Sequence, residues 1–254
     1  MAGARGIRAG RAYVELFADD SKLVRGLRRA QQKLRAFGQS ITGIGAKLLG
    51  AGAAFATPFI AAIKAASAFE ETMNKFNVVF GDAAGEVKKW GDGLAEQVGR
   101  SKRQIAGFLA SSQDLLVPIG FDFGTATAAS KQLAKLAIDL ASFNNMADAD
   151  VLRDLQAALT GSGEVMKKYG VLVSEAAVKQ ELLNNSIDPK TATEQQKVMS
   201  RLQIIMRGTT AAQGDAVRSA GSFANQMKSL KAKVEDAAVT IGSALLPVVT
   251  PFVT

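Results

Sequence analysis

Leu23, Leu27, Ala30, Leu34, Phe37, Ile41, Ile44, Leu48, Ala51 and Phe55 are spaced 4-3-4-3-4-3-4-3-4, ten consecutive apolar positions of a 3.5-residue repeat. That period belongs to a helix that lays one continuous seam against another helix. Helical throughout, residues 20–57 would extend roughly 57 Å at about 1.5 Å per residue. The cluster Arg25, Arg28, Arg29, Lys33 and Arg35 lies off the seam, as a water-facing surface would. Gly38, Gly43, Gly45, Gly50 and Gly52 work against the helix, each costing on the order of 1 kcal/mol relative to Ala. The C-terminal part of the seam is therefore conditional on a partner. A helical hairpin broken near Gly43–Gly45 is the alternative to one straight helix.

Composition supports a mostly α fold with at most one or two short strands. Aromatic residues are 6% of the chain, 24 glycines and many alanines favour close helix packing, and five prolines leave room for long helices. Histidine and cysteine are absent. Triads that rely on His, thiolate zinc sites and disulfides are thereby excluded, and the expectation is a protein without catalytic activity, cofactor or metal. Of the net charge of +8, residues 1–50 supply +7, from ten basic residues against Glu15, Asp19 and Asp20. A basic arm on a near-neutral body suits an acidic partner: nucleic acid, anionic lipid or an acidic protein surface. A merely solvated helix face is the competing reading, since no base-reading motif accompanies the charge.

Four regions follow. Residues 1–19 form a basic arm, expected to be disordered at first, with a short strand at Ala12–Ala18. The start offers no apolar core and cleavage site, so no secretory signal is expected. Residues 20–65 hold the seam helix or hairpin. Within it Leu48–Ile63 carries no charge, yet is shorter than the ~20 apolar residues of a membrane-spanning helix and contains Pro58. Residues 66–211 form a body of short helices. Ser101-Lys-Arg-Gln104 and Thr193-Glu-Gln-Gln196 read as capping boxes, and Asp148 or Asp150, and Ser174, as further caps. Val87, Trp90 and Leu94; Ile105, Phe108 and Leu109; Leu133, Leu136, Leu140 and Phe143; Val151, Leu155 and Leu159; and Val198, Leu202 and Ile205 form inward faces. Phe121–Gly124 reads as a loop and Lys167–Val173 as a turn or short strand. Residues 212–254 hold a second seam, Val217, Ala220, Ala224, Met227, Val234, Ala238, Ile241 and Leu245, interrupted by Lys231. Its uncharged, proline-broken end is expected to continue beyond Thr254.

Asp148, Asp150 and Asp154 resemble part of a metal loop but lack the glycine and distal glutamate of a calcium site, so capping explains them better. Gly43-Ile-Gly-Ala-Lys-Leu48 lacks the glycine spacing and the hydroxyl residue of a phosphate loop. Glu70 and Glu71 are a bare pair, and Glu96, Glu164 and Glu175 have no second carboxylate set against them for glycan cleavage. Phe121 and Phe123, flanking Asp122, are a candidate docking point.

Several stretches taken together resemble the N-terminal or core part of tailed-phage tail tape measure proteins. They are Tyr13-Val-Glu-Leu-Phe-Ala-Asp-Asp-Ser-Lys-Leu23 before the basic helix, and Ala68-Phe-Glu-Glu-Thr-Met73 running into Phe76-Asn-Val-Val-Phe-Gly-Asp82. Leu155-Gln-Ala-Ala-Leu-Thr-Gly161 follows, with Met166-Lys-Lys-Tyr-Gly-Val-Leu-Val-Ser-Glu-Ala-Ala-Val178 and then Ala192-Thr-Glu-Gln-Gln-Lys-Val-Met199. Last comes Ser222-Phe-Ala-Asn-Gln-Met-Lys-Ser-Leu230, leading to Ile241-Gly-Ser-Ala-Leu-Leu-Pro247. Their order and spacing cover about residues 12–250. The resemblance implies a helical virion protein that lies inside the tail tube, sets tail length during assembly in the host cytoplasm, and leaves ahead of the DNA at genome ejection. It implies self-association into a homo-oligomer, contact with tail tube, tail tip and tail assembly chaperone proteins, and a passage across the host envelope. Members are usually far longer than this chain, and no catalytic motif of the family's muralytic domains carries over. A membrane-active, pore-forming helical protein is the alternative expectation, motivated by Leu48–Ile63 and the apolar end. Nucleic-acid contact through the basic arm is a further one.

Overall fold

The computed structural model describes residues 57–249, and the chain from Pro58 onward forms one compact unit. The first seam (Leu23 to Phe55), the basic patch and the strand candidate at residues 12–18 lie outside the described residues. Among the described residues the protein is all helical, without strands. Its α-helices are α1 Thr57–Phe80, α2 Ala84–Val98, α3 Lys102–Leu116, α4 Phe123–Phe143, α5 Asp148–Leu159, α6 Glu175–Asn184, α7 Glu194–Gly208, α8 Asp215–Arg218 and α9 Phe223–Val249. Short 3₁₀ turns, Gly81–Ala83 and Gly163–Tyr169, follow α1 and α5.

Pro58 sits in the first turn of α1, where a missing N–H costs no intrahelical bond. Among the described residues no helix is long and apolar enough to cross a membrane.

The centre is α4. Ala126, Ala129, Ala134, Ala137 and Ala141 are buried together with Leu133, Leu136, Ile138 and Leu140, so this helix is apolar nearly all round. Its small side chains let α3 lie against it on one side and α5 on another. The α2 helix covers α3 through Val87 and Leu94, α7 packs on α5, and α6 packs on α7, with Val178, Leu182, Val198 and Leu202 buried. Two buried rings of α1, Phe76 and Phe80, meet at 4.6 Å between centroids within the same core.

The start signals hold where a hydroxyl precedes a helix. Ser101 accepts from the Gln104 amide, Ser174 from Ala177, and Thr193 forms a full capping box with Gln196. The Ser101 box stays half made because the Gln104 side chain donates to Asp148 instead. Neither Asp148 nor Asp150 is the cap of α5; Ala147 takes that position, and both acids lie in the first turn, where they favour the helix dipole. Phe121 is buried, so it is no docking point, while Asp122 caps α4 and Phe123 begins it, partly exposed. Lys167–Val173 is the end of a 3₁₀ turn and a coil.

Candidate functional site

The second seam is not one face of one helix. Val217 belongs to the short α8, and α9 starts only at Phe223. Leu245 is buried, whereas Met227, Val234 and Ile241 are exposed. Asn225, Ala232, Gly242 and Leu245 are buried on α9; at 100° per residue Asn225 and Ala232 lie on the side opposite the exposed apolar residues, Gly242 lies about 100° round from Ile241, and Leu245 falls on the same side as Met227, Val234 and Ile241. The helix has two separate faces, and each bears on function.

The inner face is fastened mainly by polar groups. Gly99, the left-handed C-cap of α2 at φ 63°, brings the chain against Ser229, where an added Cβ would stand 2.9 Å from the serine Cβ. That close approach carries Arg100 inward, where it is 4% exposed. Its Nε donates to Asp148 Oδ2 at 2.6 Å, and its Nη2 donates to Asn225 Oδ1 at 3.2 Å. Asp148 also accepts from Gln104 Nε2 at 2.8 Å and from Lys228 Nζ at 3.1 Å. One buried carboxylate thus ties α3, α5, α9 and the α2–α3 corner together. Asn225 Nδ2 extends the network to Ser142 and Ser219, and Ser142 in turn donates to Asp215. Further along α9, Arg103 pairs with Glu235 at 2.5 Å, and the Lys102 amide donates to Asp236. Nearer its end Gly242 meets α1 so closely that an added methyl would collide with the Ala62 carbonyl.

An open cleft of about 490 Å³ lies along this junction, lined by Thr72, Arg103, Gln104, Asp148, Lys228 and Glu235 among others. Its chemistry is that of a fastening. The carboxylate of Asp148 is filled by donors from three residues, and Arg103 and Glu235 occupy each other, so these groups are committed to the fold.

The acids outside this junction are scattered among different partners. Asp150 pairs with Arg153, while Asp154 accepts from the Tyr169 hydroxyl and pairs with Lys168. Burial, reinforced by that hydrogen bond and the Asp154 charge, pushes the Tyr169 phenol well above its ordinary range. Glu96 meets Lys102, Glu164 meets Lys167, and Glu175 meets Arg201. Glu70 and Glu71 are exposed on α1. Arg207 holds the Glu181 carboxyl below its usual value. Asp139 is raised by burial although the Gly214 and Ala216 amides donate to it, an arrangement that fixes the loop before α8. Among the described residues no group of acids fits a metal ion. Trp90 packs on the core with Lys131 Nζ 5.5 Å above its ring, the anchor its spacing with Val87 and Leu94 suggests.

The outer face of α9 carries a row that shares Met227, Val234 and Ile241 with the seam begun at Val217 and adds Phe223, Leu230, Ala237 and Ala244. Phe223 is 79% exposed, Met227 47%, Leu230 55%, Val234 62% and Ile241 49%, with Ala237 and Ala244 exposed between and beyond them. These seven are spaced 4-3-4-3-4-3, and the row was readable in the sequence had it been begun at Phe223. Arg100, Asn225 and Lys228 had no local signal, because their partners lie 48 to 125 residues away. No family model matches the chain, and no curated protein or solved structure is significantly similar to it.

Proposed function

We propose that this protein is a structural component of phage tails of the tape measure kind, acting by assembly and without catalysis. The observation that carries this reading is the outer face of α9: an apolar row at coiled-coil spacing, uncovered, on a helix whose other face is fastened to a compact body. A helix finished on one side and bare on the other is built to be completed by another chain. The resemblance over residues 12–250 names the setting, a tail tube filled by helical protein during assembly and emptied at genome ejection. Supporting it further, Arg100 and Lys228 pair with Asp148, and Arg103 with Glu235, along the cleft beside α9, so these charges satisfy one another instead of facing outward towards a substrate. Its partners on this reading are copies of itself, tube and tip proteins, and the tail assembly chaperone.

Length control is the testable core of the proposal. In the native genome, an in-frame deletion of residues 20–57 should shorten the tail by roughly 57 Å, at about 1.5 Å per helical residue, measured on negatively stained particles. Viable phage with tails of unchanged length would refute the ruler.

A further inference from the structure

A hollow of about 360 Å³ opens between α2 and α4, lined by Lys89, Trp90, Gly93, Leu94, Gln97 and Lys135. Gly93 is the unexpected member. Inside a helix only proline is less favourable than glycine, so a mid-helix glycine calls for a reason. Gly91, two residues earlier, has one: an added Cβ would stand 3.1 Å from Leu109 Cδ1. At Gly93 an added Cβ would meet nothing within 4 Å, so no neighbour in the fold requires the glycine. Its bare backbone instead leaves the hollow open, the use glycine has where a ligand approaches the main chain.

The rest of the lining is cationic and aromatic. Lys131 Nζ stands 5.5 Å from the centre of the partly buried Trp90 ring, and Lys89 and Lys135 are exposed. None of these three lysines forms an ion pair among the described residues, in contrast to Lys88, whose partner is Asp92. Glu96 pairs with Lys102, and Asp139 accepts from the Gly214 and Ala216 amides. Glu86, one turn before Trp90, is exposed and pairs with none of the three. Three uncompensated cations around one hollow suit an anion.

We propose that this hollow binds a nucleotide, free or as one residue of a single strand, with its base over Gly93 beside the Trp90 ring and its phosphate among Lys89, Lys131 and Lys135. The lining selects among anions. A bare phosphate would use the lysines and leave the indole, Leu94 and the open helix backbone untouched. A nucleotide uses both, and the Gln97 amide can donate to and accept from a base edge. Cations combined with an aromatic side chain hold single strands without regard to base sequence. The volume lies at the small end of the range for ligand pockets, about 300–1,000 Å³, which fits one nucleotide unit. The inference goes beyond the assembly role proposed above and does not rest on it.

Trp90 is the only tryptophan, so its fluorescence reports on the hollow directly. With the full chain, excited at the red edge of the indole band, a nucleoside monophosphate or a short oligothymidylate should change the emission saturably. The unphosphorylated nucleoside and inorganic phosphate should each bind at least about tenfold more weakly, since each offers half of the contacts. Lys135→Gln, at an exposed side chain, should weaken binding about tenfold. Gly93→Leu should fill the hollow and abolish the response, with the circular dichroism unchanged and the melting temperature no lower. Saturation by the mononucleotide would identify the free compound as ligand, and saturation by the oligonucleotide alone would identify a strand. Either supports the site. No saturable change with any probe, inorganic phosphate binding as well as the nucleotide, or binding indifferent to Gly93→Leu would overturn it, the last because the strand would then be held by the basic residues 1–50. None of these results alters the tail-length measurement, so the two ideas fail separately.

Discussion

Removing the Asp148 carboxylate is the sharpest probe of how α9 is held. Asp148→Ala strips the buried Arg100 of its ion pair and takes an acceptor from Lys228 and Gln104 at once. Breaking a buried pair by deleting one partner costs about 3–5 kcal/mol, because the remaining charge stays buried and uncompensated. Here the lower end applies. Arg100 keeps the Val98 carbonyl at 2.9 Å and Asn225 at 3.2 Å, and Lys228 keeps the Met146 carbonyl at 2.7 Å. A loss of about 3 kcal/mol should lower the melting temperature of a chain this size by roughly 6–12 °C. Urea titration followed by circular dichroism, with the single Trp90 as a second probe, measures it. The double variant Arg100→Met, Asp148→Leu should cost clearly less than the two single changes added together, since it leaves no orphaned charge. If Asp148→Ala cost less than about 0.5 kcal/mol, the carboxylate would not be the node described and α9 would be held by other means.

Three further outcomes are expected. Leu245→Ala should cost about 2 kcal/mol and Ile241→Ala only a few tenths, because the first side chain is buried and the second half exposed; equal losses by urea titration would contradict that difference in burial. Because Arg207 lowers the Glu181 carboxyl below its ordinary 4.5, the folded state resists a proton that the unfolded chain accepts, so this pair's contribution is present above about pH 4.5 and lost as pH falls through the lower folded value. Glu181→Gln should therefore flatten the acid limb of the stability profile, and an unchanged limb would count against the pairing. In a Tyr13→Phe variant the remaining phenol, Tyr169, should show no phenolate absorbance at its ordinary value of 10 while the protein stays folded.

Particular elements show where sequence reasoning reaches. Thr193 and Gln196 sit three residues apart, so the capping box is a local event and its signature was sufficient. The inward faces of α5 and α7, Val151, Leu155 and Leu159 and then Val198, Leu202 and Ile205, are buried as their helical spacing implies. Asp148 could not be read the same way. Its place in the first turn fits a capping acid, but its side chain turns to an arginine 48 residues back and a lysine 80 residues ahead. Phe121 likewise carries the signals of a loop, flanked by glycine and aspartate, yet tertiary packing buries it.

The two ends of α9 illustrate the division most clearly. Its amphipathic period is a property of local order, and with the absence of cysteine and histidine it was enough to indicate a helical chain built for packing. Which side of α9 faces the body was not local. The period admits both the Asn225–Ala232 face and the Ile241 face, and only the close approaches of Gly99 to Ser229 and of Gly242 to Ala62, with the buried Asp148 network, choose between them. Side-chain periodicity records that a face is apolar; long-range contacts decide which apolar face is consumed by the fold and which remains uncovered for a partner.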